Sequence, residues 1–380
     1  MEEATEKQTG RAGAGKRCYV CKARSHHPGP FCEPCYESNN THRNAAVDMT
    51  GKVCIVTGCR LKIGYQTALA LLRMGATVVG TTRFPDDGMK RYRAETDGEE
   101  LITRLTLHRV DMLRMSDITA FTDYILATYQ NLHVIVNNAA QTIRRPPAFY
   151  RHLLTEGASG DQARGEGRPA VELLPTISTA DAVIDPVVKE VGAEKPEQNG
   201  EVVVHDYFPV GEVDGDGQQV DLRPENSWTQ AMGAVDPVEL VECLFANAAA
   251  PFILTQNLLP LLSATPGNKY VVNASAMEGK FHRHFKTQFH PHTNMAKAAL
   301  NQWVRTSGGQ LAKHGIFMTA VDTGWVTDER PVRYRELAPH EVPLDCKDGA
   351  MRLLHPIIAG YSGGEHYHSV FLKDFKRTSW

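Results

Sequence analysis

KVCIVTGCRLKIG, residues 52–64, is the stretch on which the fold turns. Its first six residues form an apolar run without polar alternation, the pattern of a strand buried on both faces of a parallel sheet. A turn holding Gly58 and Gly64 follows, and apolar residues then recur at helical spacing through Ile63, Ala68, Leu71 and Leu72. Glycines between a strand and a helix let the backbone approach a pyrophosphate, and the helix N-terminus favours negative charge. The pattern therefore predicts a phosphate-binding turn built from Thr57, Gly58, Arg60, Lys62, Ile63 and Gly64.

Outward from this turn the same alternation continues. Strands are expected at Ala76–Thr81, Leu105–Val110, Leu132–Asn137, Lys269–Ala274, Gly315–Val321 and Ser369–Leu372, and helices at Ile63–Met74, Pro237–Leu262, Asn294–Lys313 and Lys347–Ile358. Strands alternating with helices argue for an α/β fold with a doubly wound parallel sheet of the Rossmann type. The second strand ends at Thr82 and Arg83. A carboxylate there would bind ribose hydroxyls and repel a 2′-phosphate. Thr82 and Arg83, with Arg60 and Lys62 in the glycine turn, favour NADP over NAD. Between about 151 and 230 the rhythm breaks into Gly-, Asp-, Glu- and Pro-rich chain. A structureless loop of that length is unusual in a compact domain, so the segment reads as an insertion, partly disordered or folded as a small hairpin cap.

Charge and composition remove some functions. The 41 Lys+Arg against 44 Asp+Glu give a net charge of −3, which argues against a nucleic-acid binder driven by bulk charge. No run approaches the ~20 apolar residues of a membrane span. Residues 1–16 are polar and lack the apolar centre of a secretory signal, so they read as a leader of a cytoplasmic protein with reduced thiols. Four of the 8 cysteines crowd into Cys18-x2-Cys21 and Cys32-x2-Cys35, separated by ten residues. Two such knuckles complete a tetrahedron of thiolates around zinc, with no open position for water. A segment this short cannot bury a useful core, so the metal would supply its folding energy. His26 or His27 is an alternative ligand. Residues 17–46 are thus a structural zinc module, and 47–380 the Rossmann domain that carries the insertion.

Over Thr50–Gln141 and Val235–Trp380 the sequence resembles the short-chain dehydrogenases/reductases. Thr57-Gly58 through Gly64 looks like the family's TGxxxGxG, with Lys62 at the middle glycine. Asp111 matches the residue that meets the adenine, and Asn137-Asn138-Ala139-Ala140 resembles NNAG. Asn247 matches the tetrad Asn, and Thr323-Gly324 resembles the PG motif. The resemblance implies cofactor contacts at Asp111, Asn138, Ala139, Lys297 and Gly324. It also implies a catalytic Tyr, a Lys four residues later and a Ser. Here Lys297 is present, but Thr293 holds the Tyr position and Ala276 the Ser position, with Ser275 one residue earlier. Lys at i+4 shares a helical face with that position. An aliphatic hydroxyl is a far weaker acid than a phenol, so His292 or His290, in a loop that also holds His282 and His284, is the expected replacement acid/base. Glu278 could equally serve as a base. Arg144 and Arg145 would either clamp an anionic substrate or anchor the insertion.

Two functions follow. One is an NADP(H)-dependent oxidoreductase acting on a small carbonyl or alcohol with an atypical acid/base, using Lys297, Asn247, Thr293, His292 and Ser275. The other is a catalytically silent nucleotide-binding scaffold whose module (17–46) or insertion (151–230) holds a protein partner. A nucleic-acid contact through Lys16, Arg17, Lys22 and Arg24 ranks below both. The resembled family is usually dimeric or tetrameric, so a homo-oligomer is expected.

Overall fold

The computed structural model describes residues 15–153, 207–282, 286–338 and 341–380. The leader up to residue 14, the apolar piece Val202–Val204 and His284 lie outside the described residues. The chain opens with a short antiparallel pair, β1 (Lys16–Arg17) and β2 (Arg24–Ser25), and a helix, α1 (Glu33–Arg43). The sheet then begins with β3 (Val53–Thr57), α2 (Lys62–Arg73), β4 (Thr77–Thr82), α3 (Pro85–Arg93), α4 (Gly98–Leu101), β5 (Leu105–Arg109), α5 (Met115–Thr128) and β6 (Val134–Asn137). Beyond the insertion come α6 (Pro237–Leu244), α7 (Ala250–Ala264), β7 (Lys269–Ser275), α8 (Pro291–Ala312), β8 (Ile316–Asp322), α9 (Val332–Leu337), α10 (Cys346–Tyr361), β9 (Phe371–Lys373) and β10 (Lys376–Thr378).

The strands order as β10-β9-β8-β7-β6-β3-β4-β5, parallel except for the last hairpin, β9–β10. Side chains alternate across a strand, and the alternation divides the apolar runs between two cores. Cys54, Val56, Val78, Val134 and Val272 face one core with Leu71 and Leu72 of α2 and Leu353 and Leu354 of α10. Ile55, Val79, Ile135 and Val271 face the other with Phe121 of α5, Leu254 and Leu258 of α7 and Val304 of α8. Every residue of β7 is buried. The chain order reverses between β3 and β6, which leaves a crevice at the carboxyl ends of those strands, where open α/β sheets bind ligands.

The expected strands and helices are present, but the helix Pro237–Leu262 is two helices joined by a π-turn over Phe245–Ala249. This run also corrects the membrane expectation: Pro237–Ala264 is long and apolar enough to span one. Here it packs in the second core, on α5 and α8. The sequence reading missed α1, α3, α4, α5 and α9. The described end of the insertion, from Tyr207, carries a turn at Asp214–Gly217 closed by the bridge Val213–Gln219.

The module is fastened to the sheet domain. Cys18 and Phe31 share an apolar cluster with Val326 and Leu344, against Ile63 of α2. From α1, Asn39 Nδ2 donates to Asp348 Oδ1 at 2.9 Å, and Arg43 pairs with Asp345 and Asp348 at the start of α10.

Candidate functional site

The ends of β3 and β6 are laced together. Thr57 Oγ1 accepts from the N–H groups of Asn138 (3.0 Å) and Ala139 (2.9 Å), and Asn138 Nδ2 donates to the carbonyls of Thr57 and Gly58. Gly58 turns the chain with φ +68°, and a Cβ on Gly64 would stand 2.2 Å from the Gly58 carbonyl oxygen and 2.3 Å from Asn138 Nδ2. Only hydrogen fits there, and the first turn of α2 comes close against the strand end. A turn of this shape leaves room for a phosphate pair to approach the backbone.

A cleft of about 1690 Å³ runs along this crevice. Gly58, Arg60, Lys62, Ile63 and Gly64 line it, with Thr82, Arg83 and Asp111 at one end and Ser275, Thr293 and Lys297 at the other. Asn138, Ala139 and Gly324 line it as well. The dimensions and donors suit a dinucleotide.

At the Arg83 end the three expected cations differ. Arg60 is buried and donates to Asp87 at 2.8 Å. Burial alone would raise the Asp87 carboxyl, but bonds from Arg91 and Arg60 hold it below its ordinary range. Lys62 points its Nζ to within 3.9 Å of Asp216. Arg83 stacks its guanidinium 4.2 Å from the centre of the Tyr150 ring, and no ion pair ties it to a carboxylate among the described residues. Thr82 Oγ1 accepts from the Phe84 N–H. No carboxylate closes the end of β4 at Thr82 or Arg83.

At the other end Lys297 is buried, with its side chain reaching the cleft wall. Its Nζ donates to the Ala274 carbonyl at 2.8 Å. Burial pushes it down to about 8, against the opposing influence of Cys243 and Glu278. Thr293, one turn earlier on α8, lies with its Oγ1 3.9 Å from the Cys243 thiol. Asn247 sits in the π-turn, a feature that recurs at functional sites. Its Nδ2 donates to the carbonyls of Gln141 and Cys243, both at 2.9 Å. Ser275 is buried and donates to Asn301 Oδ1 at 2.6 Å, so its hydroxyl is held by α8.

The histidines stand behind the wall. His292 and His290 are buried and are absent from the cleft lining. His292 Nε2 lies 3.4 Å from Glu239 Oε1, and His290 stacks on Trp228 at 4.0 Å. Glu239 and Trp228 do line the cleft. Burial alone would raise the Glu239 carboxyl, but bonds from His292 and Ser227 pull it below its ordinary range. Glu239, Cys243 and Asn247 recur every four residues, the spacing of one helical face. That signal was in the sequence, but the sequence reading used only Asn247.

Arg144 Nε donates to Glu242 at 2.8 Å, and Arg145 pairs with Asp221. Arg223 adds a second bond to Asp221 at 2.7 Å and one to the Arg144 carbonyl. Arg145 therefore ties the described end of the insertion, the Arg144 side chain is held by α6, and both arginines also line the cleft.

In the module, ligand atoms of Cys18, Cys21, Cys32 and Cys35 all lie within 4.8 Å of one another. Tetrahedral zinc with Zn–S bonds of about 2.3 Å needs sulfurs roughly 3.8 Å apart, so the four thiols fit the ion.

A family model described as short chain dehydrogenase matches residues 52–153. An uncharacterized protein of Acanthamoeba polyphaga mimivirus is 27% identical over 365 residues, spanning 90% of this chain and 71% of the viral protein. An uncharacterized oxidoreductase of Schizosaccharomyces pombe is 34% identical over 104 residues, 27% of this chain and 30% of that one. Retinol dehydrogenase 12 of Mus musculus is 32% identical over 96 residues, 24% of this chain and 29% of the mouse protein. The matches thus span less than a third of those two enzymes. The structure of NADPH-bound carbonyl reductase from chicken fatty liver superposes with a TM-score of 0.54 at 15% identity, covering 88% of this chain and 100% of that one. That likeness is one of fold.

Proposed function

We propose that this chain is a divergent member of the short-chain dehydrogenase family and an NADP(H)-dependent oxidoreductase that interconverts a carbonyl compound and its alcohol. The observation that carries the reading is the single cleft joining the Gly58–Gly64 turn to Lys297 and Thr293. The bound cofactor would supply or accept the hydride. Gly58, Ile63 and Gly64 would hold its pyrophosphate, and Arg83, stacked on Tyr150, its 2′-phosphate. Lys297 would meet the cofactor from the cleft floor, its ammonium fixed by the Ala274 carbonyl.

The proton needs another source, since no phenol stands at position 293. Glu239 lines the cleft, with its Oε1 3.4 Å from His292 Nε2. In our reading this pair holds one exchangeable proton and passes it to the substrate oxygen, with Thr293 orienting that oxygen. Ser275, held by Asn301, is a packing group here. The Cys18–Cys35 module is read as a structural zinc site.

Loss of NADPH absorbance with a panel of aldehydes and ketones tests the reading. Turnover is expected, and Lys297→Ala should reduce kcat/KM at least a hundredfold, the scale of a lost charge-assisted contact at the reacting end. Tight NADPH binding with no turnover across the panel would instead favour the silent scaffold. The missing phenol and the engaged Ser275 are what keep that second reading in view.

A further inference from the structure

Tyr19 stands between the first two cysteines of the module, and Lys22 directly follows the second. Both line the dinucleotide cleft. Tyr19 Oη accepts the N–H of Trp325 at 2.9 Å. A Cβ on Gly324 would lie 3.4 Å from the same oxygen. The neighbouring backbone is held from the sheet side, where Gly324 N donates to Asp322 Oδ1 at 3.0 Å and Lys373 Nζ holds Asp322 Oδ2 at 2.9 Å. The Gly324–Val326 segment is thus clamped between β8 and the module. Ile63, in the Gly58–Gly64 turn, touches the same apolar cluster as Cys18, Phe31 and Val326. Lys22 takes φ +64° at the knuckle, bonds the Tyr19 carbonyl and holds its ammonium 5.0 Å from the centre of the Tyr19 ring.

We propose that the four-cysteine module is a wall of the cofactor cleft: Tyr19 positions the Gly324–Val326 backbone, and Lys22 presents a cation to the phosphates of the dinucleotide. This rests on the NADP(H) reading above and extends it. The residues between Cys18 and Lys22 have almost no core of their own, so their geometry depends on the metal that joins the thiolates. A metal that fixes Tyr19 and Lys22 must then strengthen dinucleotide binding. By thermodynamic reciprocity, a bound dinucleotide must hold the metal more tightly by the same factor.

The test uses the full zinc-loaded chain, with Tyr19→Phe and Lys22→Ala beside it. NADPH affinity is measured by calorimetry, and zinc release to a chelator is followed with and without saturating NADPH. Each variant is expected to weaken NADPH about fivefold, the size of one lost polar contact, while still carrying one zinc per chain. In the wild type, NADPH should slow zinc release severalfold. Unchanged affinity in both variants, together with zinc release indifferent to NADPH, would overturn the inference and leave the oxidoreductase reading standing. A wild-type chain that does not bind NADPH at all would overturn both. The release measurement on the wild type stands even if a variant loses its metal.

Discussion

Lys62 occupies a conformation that suits glycine. Its φ of +52° lies in the left-handed region, at the position where the resembled motif has its middle glycine. A side chain there costs roughly 1–2 kcal/mol, and its contact with Asp216 at 3.9 Å is too long and too exposed to offset that. Lys62→Gly should therefore raise stability by about 1 kcal/mol, allowing for the greater entropy of an unfolded glycine. Urea unfolding would show it, and a lower midpoint would contradict the strain argument. Gly64 behaves in the opposite way. A methyl group at Gly64 would overlap the Gly58 carbonyl oxygen and the Asn138 amide, both fixed by backbone bonding. Gly64→Ala is expected to lower NADPH affinity at least tenfold, read by fluorescence titration. The two positions look alike in the sequence motif, and only the packing around each separates them.

At the scale of elements, the start of α10 carries an unusual load. Asp345 caps the helix by accepting the Asp348 N–H at 2.8 Å, and Asp348 returns the bond to the Asp345 N–H at 3.2 Å. The same two carboxylates receive Arg43 and Asn39 from α1. One capping box therefore also docks the helix that follows the module. Asp348→Ala should cost about 2 kcal/mol, the sum of a lost cap bond and a buried amide left without its acceptor. Urea unfolding checks the value, and faster proteolysis between residues 15 and 46 would locate the loosened element. The sequence reading missed this contact because α1 lies outside the apolar rhythm that marked the other helices. Its buried residue is the polar Asn39, and the partners of Asn39 and Arg43 lie 309 and 302 residues away. The α6–α7 run shows the converse. Its apolar periodicity was legible, whereas the π-turn that places Asn247 against α8 and the Gln141 carbonyl was not.

The whole molecule carries two histidines outside the candidate site that burial affects, His133, which is buried, and His355, which is partly buried. Burial, with Lys52 and Lys269 nearby, pushes His133 down to about 4. Burial and the neighbouring His42 do the same for His355. Both pKa values lie below the ordinary 6.5, so the unfolded chain binds more protons than the folded one between pH 6.5 and 4. Stability must then fall as pH drops through that window, and be fully present above 6.5 as far as these two groups are concerned. The urea midpoint should be clearly lower at pH 5 than at pH 7. His133→Gln should flatten that dependence, because the ring accepts the Val53 N–H at 3.1 Å in its neutral form. An unchanged midpoint across this range would contradict the burial argument.

The apolar runs, their length and the glycine turn at 58–64 were enough to determine a doubly wound sheet and the place of its cleft. Strand burial and helical periodicity are local properties that every residue of the run repeats. The cysteine spacing likewise determined that four thiols come together, because two knuckles already hold them in pairs. The tertiary structure decided which groups face the cleft. His292 and Thr293 are adjacent in sequence, yet one is turned behind the wall to Glu239 and the other lines the cleft. Tyr19 reaches the same cleft from a segment read as a separate module. Such contacts join residues far apart in the chain, Tyr19 and Trp325 by 306 positions, and nothing in the local pattern of either partner encodes them.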